Sequence, residues 1–229
     1  LTKLLMSKDI KTPFGKITPR VSLFPIYYLL FIYGFIYIFP YGRNVIGISW
    51  FDWLRSEDGP LEWLQFFEYM LSSLLAFLIF VRRKKKKEIN SLIWLLIAFL
   101  SLIIAGEEIS WGERLTGVGI TSISDLNVQG ETNFHNLPFF HNYLLDPIFE
   151  ISCIFLGWFG WKKFKNIEAF PGKDLSLYFL FVALFYFYFD VSWASTTEQI
   201  RNDQEIFEFL LSSGIFLHCL RNFNKKSKI

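Results

Sequence analysis

Six apolar runs, separated by short charged segments, dominate the pattern of hydrophobic and polar positions along the chain. A helix that crosses a bilayer needs about 20 predominantly apolar residues, and runs of this kind predict helices rather than strands. The sequence therefore predicts an all-α, polytopic membrane helical bundle with six transmembrane helices, in a single domain of residues 1–229. The predicted spans cover residues 21–40, 61–81, 90–110, 147–161, 174–193 and 204–220.

The charges around these runs predict the orientation of the bundle. Of the 23 Lys and Arg residues, 19 fall on segments assigned to the inner side, against 4 of the 21 Asp and Glu residues. Because cytoplasmic loops carry the excess of Lys and Arg, we expect both termini in the cytoplasm. Residues 1–20 would form a basic cytoplasmic arm or surface helix, and the apolar run after them would be an uncleaved anchor.

Composition agrees with a membrane location. Hydrophobic residues make up 52% of the chain and aromatic residues 20%, which is high for a soluble domain. The basic run at residues 82–87 is expected to favour anionic lipid at the inner surface, so the expected partners are the lipid bilayer and its head groups, not nucleic acid. Cys153 and Cys219 lie at different predicted depths, and we expect no disulfide between them.

The apolar cores of five runs are too short to span a bilayer alone. Residues 70–81 and 151–161 number only 12 and 11, for example. Since basic or polar flanks fix the inner ends, acidic residues at the outer ends must complete the spans and face a wet interior. We therefore expect an outward-facing acidic pocket lined by the second to sixth spans, with the uncharged first span outside. The acidic residues are Glu62, Glu68, Glu107, Glu108, Glu150, Asp190, Glu205 and Glu208.

The second span carries a polar stripe that supports this pocket. Asp58, Glu62, Gln65, Tyr69 and Ser72 recur at spacings of four and three, which places them on one face of a helix. The stripe would form one wall of the pocket.

The long outer loop, residues 107–146, contains the highest density of side chains that could bind a metal or transfer a proton. Asn127, Gln129, Glu131, Asn133 and His135 alternate with other residues, so in an extended chain they would share one face. In a helix, Glu131 and His135 would also share a face because they are four residues apart. Both conformations predict that these two side chains converge.

A carboxylate and imidazole metal site is one interpretation of this loop. Glu131, His135 and His141 would be ligands of a divalent metal, zinc or iron, together with a Glu from the spans. The alternative is a re-entrant loop whose polar side chains satisfy its own backbone at membrane depth.

The remaining candidate site residues would act around such a centre. One of Glu62, Glu107 and Glu108 would be a further ligand, and another would be the general base on a metal-bound water. Arg114 or Arg201 would hold an anionic head group or stabilise developing charge.

Two segments of the chain, GEEISWGERLTG and NVQGETNFHN, resemble an uncharacterised family of bacterial multi-pass inner-membrane proteins. The family pattern is Gly-Glu-Glu-Ile-Ser-Trp-Gly-Gln-Arg, followed by Asn-x-Gln-x-Glu-x-Asn-x-His-Asn. Glu113 stands where the pattern has Gln, and Phe134 where it has Leu. The resemblance implies a bacterial cytoplasmic (inner) membrane location and implies that these positions work as a unit, but it implies no activity. In architecture alone the chain is similar to the alkaline ceramidase-like membrane hydrolases, whose His-x-x-x-His zinc motif is missing here.

Three functions from different classes fit these features. The first is a metal-dependent hydrolase that acts on a lipid or envelope substrate from the outer leaflet. The second is a cation-handling or proton-handling transporter or channel subunit, with carboxylates as ion ligands. The third is a membrane scaffold or assembly partner that binds a basic protein domain at its outer acidic face. No Walker loop, His-Glu-x-x-His or Gly-x-Ser-x-Gly motif selects among them.

Overall fold

The computed structural model describes most of the chain and is dominated by helices, which confirms the predicted all-α class. The described residues are 10–12, 15–17, 19–38, 45, 47–56, 58–127, 130–139, 145–188 and 203–225.

A short hairpin precedes the helices. Strands β1 (Ile10–Thr12) and β2 (Gly15–Ile17) pair antiparallel, with Ile10 opposite Ile17. The sequence analysis predicted an arm or a surface helix here. Pro13 lacks the N–H that a helix interior needs, and β-branched Ile and Thr favour strands, which accounts for the difference.

Six helical segments follow in the order of the six predicted spans. α1 comprises residues 19–38, of which Leu30–Ile38 forms wider π-helical turns. α2 is Pro60–Lys85 and α3 is Ser91–Glu108. α4 comprises residues 145–163, with π-helical turns at Phe155–Gly160. α5 is Ser176–Tyr186 and α6 is Gln204–Asn224.

Shorter helices occupy the connections between these segments. Ile48–Leu54 precedes α2, and the 3-10 turn Lys173–Leu175 leads into α5. The outer loop after α3 begins with the 3-10 turn Ser110–Gly112 and continues with the helices Glu113–Thr116 and Thr121–Ser124. Residues 130–137 form turns, neither a strand nor a helix.

Two helices of the described chain, α2 and α3, are long and apolar enough to cross a membrane. Only 33% of the most apolar stretch of α2, and 28% of that of α3, is buried within the molecule. A core helix of a soluble protein would bury most of such a stretch, so the outward-facing Leu and Phe side chains favour contact with lipid. The six-span layout stays a prediction, because the other described helices are shorter or less apolar.

α2 is the central helix of the bundle. It packs against α3 on one side and α6 on the other, while α5 contacts both α6 and α4. α1 does not lie wholly apart: the rings of Tyr28 and Phe209 are 5.7 Å apart, and those of Tyr33 and Phe207 are 6.2 Å apart.

The buried face of α2 matches the predicted stripe over most of its length. Glu62, Gln65, Tyr69 and Ser72 are all buried. Asp58 is an exception, because it lies before the first residue of the helix, has a φ of 62° and is exposed. Nearer the basic ends of the helices the core is apolar. The buried residues there are Ala76, Ile79, Phe80, Trp94, Ala98, Ala169 and Cys219.

Candidate functional site

A strained turn at the end of α3 positions the first part of the site. Ser110, Trp111 and Gly112 have φ angles of 47°, 53° and 92°, and the left-handed conformation costs a non-Gly residue roughly 1–2 kcal/mol. The turn reverses the chain, so that Arg114 reaches back over the end of α3. The surrounding hydrogen bonds must offset that backbone cost.

The Arg114 guanidinium lies at the centre of three carboxylates, which we call the Arg114 centre. Its Nε is 2.9 Å from Asp58 Oδ1, its Nη1 is 2.6 Å from Glu62 Oε1, and its Nη2 is 3.1 Å from Glu131 Oε2. Nη1 also donates to the backbone carbonyl of Glu108 at 2.9 Å. The centre therefore joins the segment before α2, α2 itself, the end of α3 and the outer loop.

Arg114 stays charged in this position. Burial of the guanidinium lowers its pKa, but the hydrogen bond and the charge of Glu62, with the charges of Glu131 and Asp58, outweigh burial and raise the pKa above its ordinary value. The guanidinium thus lies within ion-pair distance of three carboxylates.

Glu107 joins the end of α3 to the outer loop. Its Oε1 accepts a hydrogen bond from Trp111 Nε1 at 2.5 Å, and its Oε2 accepts from the backbone N–H groups of Phe134 and His135 at 2.7 and 2.9 Å. The His135 Nδ1 lies 3.2 Å from the same oxygen. Glu107 thus fixes the conformation of the loop at residues 134 and 135.

Glu131 is held by a separate set of polar groups. Besides Arg114, it accepts hydrogen bonds from Ser110 Oγ at 2.5 Å and from Asn133 Nδ2 at 3.0 Å. Asn127 Nδ2 in turn donates to Asn133 Oδ1 at 2.7 Å. Three of the alternating polar side chains, those of Asn127, Glu131 and Asn133, are therefore linked to one another and to Ser110 after α3.

Glu113 completes the attachment of the loop. Its Oε2 accepts from the backbone N–H of Thr132 at 2.6 Å, and Thr132 Oγ1 accepts from the N–H of Ile120 at 2.7 Å. These bonds satisfy the backbone N–H groups of Thr132 and Ile120.

The predicted metal ligands are not assembled in the part of the chain that the structure describes. Glu131 and His135 contact different partners, Arg114 and Glu107, because the turns at residues 130–137 lack the period that would align them. Among the described residues, no group of three or more His, Cys, Asp and Glu side chains could hold a metal ion. His141, Gln129, Asp190 and Arg201 lie outside the described residues, so their predicted roles stay predictions.

A second group of carboxylates comes from the end of α3 and the start of α6. We call Glu108, Glu205 and Glu208 the acidic cluster. The carboxylates of Glu208, Glu205 and Glu62 all repel that of Glu108, while Arg114 attracts it. No hydrogen bond to the Glu108 carboxylate comes from the residues that the structure describes. Glu108 is thus an ionisable group that lies among like charges and has no hydrogen-bond donor to its carboxylate within the described chain.

The other members of the acidic cluster have polar neighbours. Gln65 Nε2 donates to Glu205 Oε2 at 2.7 Å, and Gln204 Nε2 donates to Glu208 Oε1 at 2.7 Å. Tyr186, at the end of α5, also donates its hydroxyl proton to Glu208. The cluster therefore lies between α2, α3, α5 and α6.

α2 carries two further polar residues, Glu68 and Gln65, that contact α6. Glu68 accepts hydrogen bonds from Ser212 Oγ at 2.6 Å and Ser213 Oγ at 2.9 Å. Gln65 is fully buried, with 0% of its surface exposed, and its Oε1 accepts no hydrogen bond within the described chain. Buried acceptors without a donor are rare in folded proteins.

One buried ion pair was missed by the sequence analysis. Arg55 Nη1 is 2.5 Å from Asp203 Oδ1, with 5% and 0% of the two side chains exposed, and Tyr33 donates to Asp203 Oδ2 at 3.0 Å. The pair links the segment before α2 to the start of α6. A signal was present, because each of the four basic residues assigned to the outer side is Arg, the residue suited to buried pairing.

No protein-family model, no curated protein and no solved structure matches the chain. The resemblance of its two outer-loop segments to a bacterial membrane family therefore rests on those residues alone.

Proposed function

We propose that this chain is a multi-pass protein of the bacterial cytoplasmic membrane that binds a cation from the outer side, in the acidic cluster at the outer ends of its helices. Six spanning helices and cytoplasmic termini are part of this proposal. The observation that carries it is the position of Glu108, whose carboxylate lies among like charges without a described hydrogen-bond donor. Of the three functions that the sequence left open, this one is nearest to a cation-handling transporter or channel subunit.

Electrostatics supports a bound cation. Like charges in a region of low dielectric constant repel strongly unless a cation or proton compensates them. The nearest described cation, Arg114, already contacts Asp58, Glu62 and Glu131. An additional positive charge would therefore stabilise the acidic cluster.

The apolar layer below the cluster supports entry from the outer side. The inner halves of α2, α3 and α6 pack through buried Ala76, Ile79, Ala98 and Cys219. Such a layer is a barrier to a charged species. The arrangement favours a site that opens outward and is closed on the inner side.

The metal-dependent hydrolase receives less support from the geometry. Its catalysis needs a metal-bound water or an activated nucleophile. Within the described chain, Glu131 and His135 are separated by their different partners, and Glu107 anchors backbone N–H groups of the loop. These contacts fit positioning residues of the outer loop better than ligands or bases.

Thermal stability of the purified protein in lipid nanodiscs tests the proposal. Ammonium, methylammonium, sodium and potassium chloride would be compared at one ionic strength, balanced with choline chloride. A cation that binds the folded state raises the midpoint of unfolding, and the shift grows with the logarithm of its concentration once that concentration exceeds the Kd. At least one should do so in the wild type, and the effect should vanish in Glu108→Gln.

A matched variant makes that result specific. Glu150→Gln neutralises an outer carboxylate on α4 that is half-buried and outside the acidic cluster, so it should keep the cation effect. The proposal is wrong if no cation stabilises the wild type, or if both variants respond as the wild type does.

A second candidate, a membrane assembly partner, is favoured by a different observation. The outer loop exposes apolar side chains that its own fold leaves uncovered: Leu115, Val118, Ile120 and Leu126 are 54–76% exposed. Exposed apolar patches mark interaction sites. Light scattering of the purified protein would test it, since Val118→Asp with Ile120→Asp should reduce the mass of any assembly and leave a monomer unchanged.

A further inference from the structure

The basic end of α4 holds two ammonium groups against one indole ring. Lys162 Nζ lies 5.1 Å from the centre of the Trp161 ring and 4.0 Å from that of the Trp158 ring. Lys173 Nζ, from the 3-10 turn that leads into α5, lies 4.8 Å from the centre of the same Trp161 ring. Trp161 therefore brings together two cations from the two sides of the connection between α4 and α5.

The local fold fixes the position of this ring. Trp161 Nε1 donates to the backbone carbonyl of Gly157 at 3.0 Å, and the Ser176 hydroxyl donates to the same carbonyl. The π-helical turns Phe155–Gly160 come directly before Trp161, and turns of this kind are rare and are frequently found at functional sites. The indole is thus a positioned surface for the two ammonium groups.

The acidic side chains that the structure describes at this end of the bundle pair with other basic groups. These ion pairs are Glu88 with Arg83, Glu168 with Arg83 and Lys225, and Asp174 with Arg221. Lys162 forms no ion pair within the described chain. An anion bound beside Lys162 would be attracted by both ammonium groups at Trp161.

An exposed apolar stripe along α4 leads to these cations. Ile151, Ile154, Trp158 and Lys162 recur at spacings of three and four residues, which places them along one side of the helix. The three apolar side chains are 67%, 36% and 50% exposed. Trp and Lys at the end of an apolar helix surface are typical of the boundary between hydrocarbon and head groups. A ligand that fits the whole stripe carries an anionic group on an apolar chain.

We infer that the basic end of α4 binds the phosphodiester of an anionic phospholipid from the inner leaflet, with Lys162 and Lys173 as donors and the acyl chains along Ile151 and Ile154. Ammonium groups donate charge-assisted hydrogen bonds to phosphate oxygens, and two neighbouring ones can share a phosphodiester. The inference rests on the membrane location in the proposed function and is independent of the cation site. It assigns one position for a lipid, in addition to the general attraction expected of residues 82–87.

Native mass spectrometry of the full chain in detergent micelles tests the inference. Phosphatidylglycerol and phosphatidylcholine with identical acyl chains would be titrated separately. The wild type should bind its first phosphatidylglycerol at least tenfold more tightly than its first phosphatidylcholine. Lys162→Gln with Lys173→Gln should abolish this preference, whereas Lys162→Arg with Lys173→Arg keeps both charges and should retain it. Equal affinity of the wild type for the two lipids would overturn the inference and leave cation binding at Glu108 untouched.

A matched variant separates one site from diffuse charge. Lys163→Gln with Lys165→Gln removes the same charge from two exposed neighbours and should change phosphatidylglycerol affinity by less than twofold. Equal losses in the two Gln pairs would assign the preference to the general basic surface and overturn the inference. Displacement of phosphatidylglycerol by millimolar inorganic phosphate would identify a free phosphate as the ligand and would also overturn it. A chain that stayed soluble without detergent would contradict the membrane location itself.

Discussion

Individual arginines link the segments at the end of the bundle where α3 ends and α6 begins. Arg114 contacts carboxylates from α2, from the segment before it and from the outer loop, and Arg55 joins that segment to Asp203 before α6. A guanidinium suits such positions because its donors point in several fixed directions and it stays charged. The Arg114 side chain thus links the start of α2 to the outer loop, two segments that are distant in the sequence.

Replacement of Arg114 should lower the stability of the folded protein by a large amount. Arg114→Leu leaves three carboxylates without their counter-charge, which should lower the free energy of unfolding by roughly 3–5 kcal/mol. Denaturant titration of the protein in micelles measures this. Arg82→Leu is the control, because Arg82 donates to a carbonyl at the exposed inner end, and should cost about 1 kcal/mol or less. Equal costs would contradict the role of the Arg114 centre.

Sequence reasoning predicted which face of α2 is buried, but it did not predict how the charged side chains pair. The stripe on α2 followed from helical spacing, a local property, and Glu62, Gln65, Tyr69 and Ser72 are indeed buried. The Arg55 and Asp203 pair joins residues 148 positions apart, and no local pattern encodes such a contact. Glu131 and His135 were expected to converge because a regular period was assumed where the chain forms turns.

At the scale of elements, two positions give testable predictions about backbone strain and packing. The first is the inner turn between α2 and α3, and the second is the close contact of α4 with α5. α2 continues to Lys85, beyond the predicted end at residue 81, because Lys and Arg are good helix formers. Apolar runs predict where a helix crosses lipid, whereas basic flanks can extend it further.

The turn between α2 and α3 contains a strained lysine. Lys87 has a φ of 55°, whereas Lys86 has a φ of −89°. Lys87→Gly should therefore raise the free energy of unfolding by about 1 kcal/mol, because Gly adopts this conformation without strain. Lys86→Gly, the neighbouring control, removes the same charge and should not stabilise. Thermal unfolding of both variants tests this prediction, and equal midpoints of unfolding would contradict a left-handed conformation of Lys87.

Close packing of α4 on α5 depends on Gly157. A Cβ there would lie 2.7 Å from Leu180 Cγ, so Gly157→Ala should lower the free energy of unfolding by roughly 1–3 kcal/mol through overpacking. Gly34 in α1 has nothing within 4 Å of the same position. Gly34→Ala should be neutral or stabilising in the same denaturant titration, and a reversed order would contradict the packing.

An ion pair at the inner end gives a prediction for pH. The hydrogen bond from Arg83 lowers the pKa of Glu168 below its ordinary value of 4.5, with help from the charge of Lys225. A carboxylate with a lowered pKa stabilises the fold above its ordinary pKa, and that contribution is lost as the pH falls through the lowered value.

The corresponding variant is Glu168→Gln. It should unfold at a lower temperature than the wild type at pH 7, by a small amount because Glu168 is 48% exposed. The two midpoints should converge as the pH drops below about 4.5, the ordinary value for Glu. A difference that persists at low pH would assign the effect to something other than ionisation.

At the scale of the whole molecule, the described helices form a polar layer around Arg114 and Arg55 and an apolar layer near their basic ends. Arg114, Arg55 and their carboxylates fix the outer ends of the helices, while Trp94, Ala98 and Cys219 pack the inner ends. The all-α class followed from the sequence because apolar runs of this length predict helices rather than strands. The two layers could not be predicted from the sequence. They depend on which helices are neighbours, and the sequence alone does not show the order in which the helices pack.

Equilibrium dialysis of the purified protein against radiolabelled sodium, potassium and methylammonium tests the central claim most directly. The account predicts saturable binding of one cation per chain in the wild type and in Glu150→Gln, and loss of that binding in Glu108→Gln. Absence of saturable binding in the wild type, or equal binding in Glu108→Gln, would contradict the claim that the acidic cluster is a cation site.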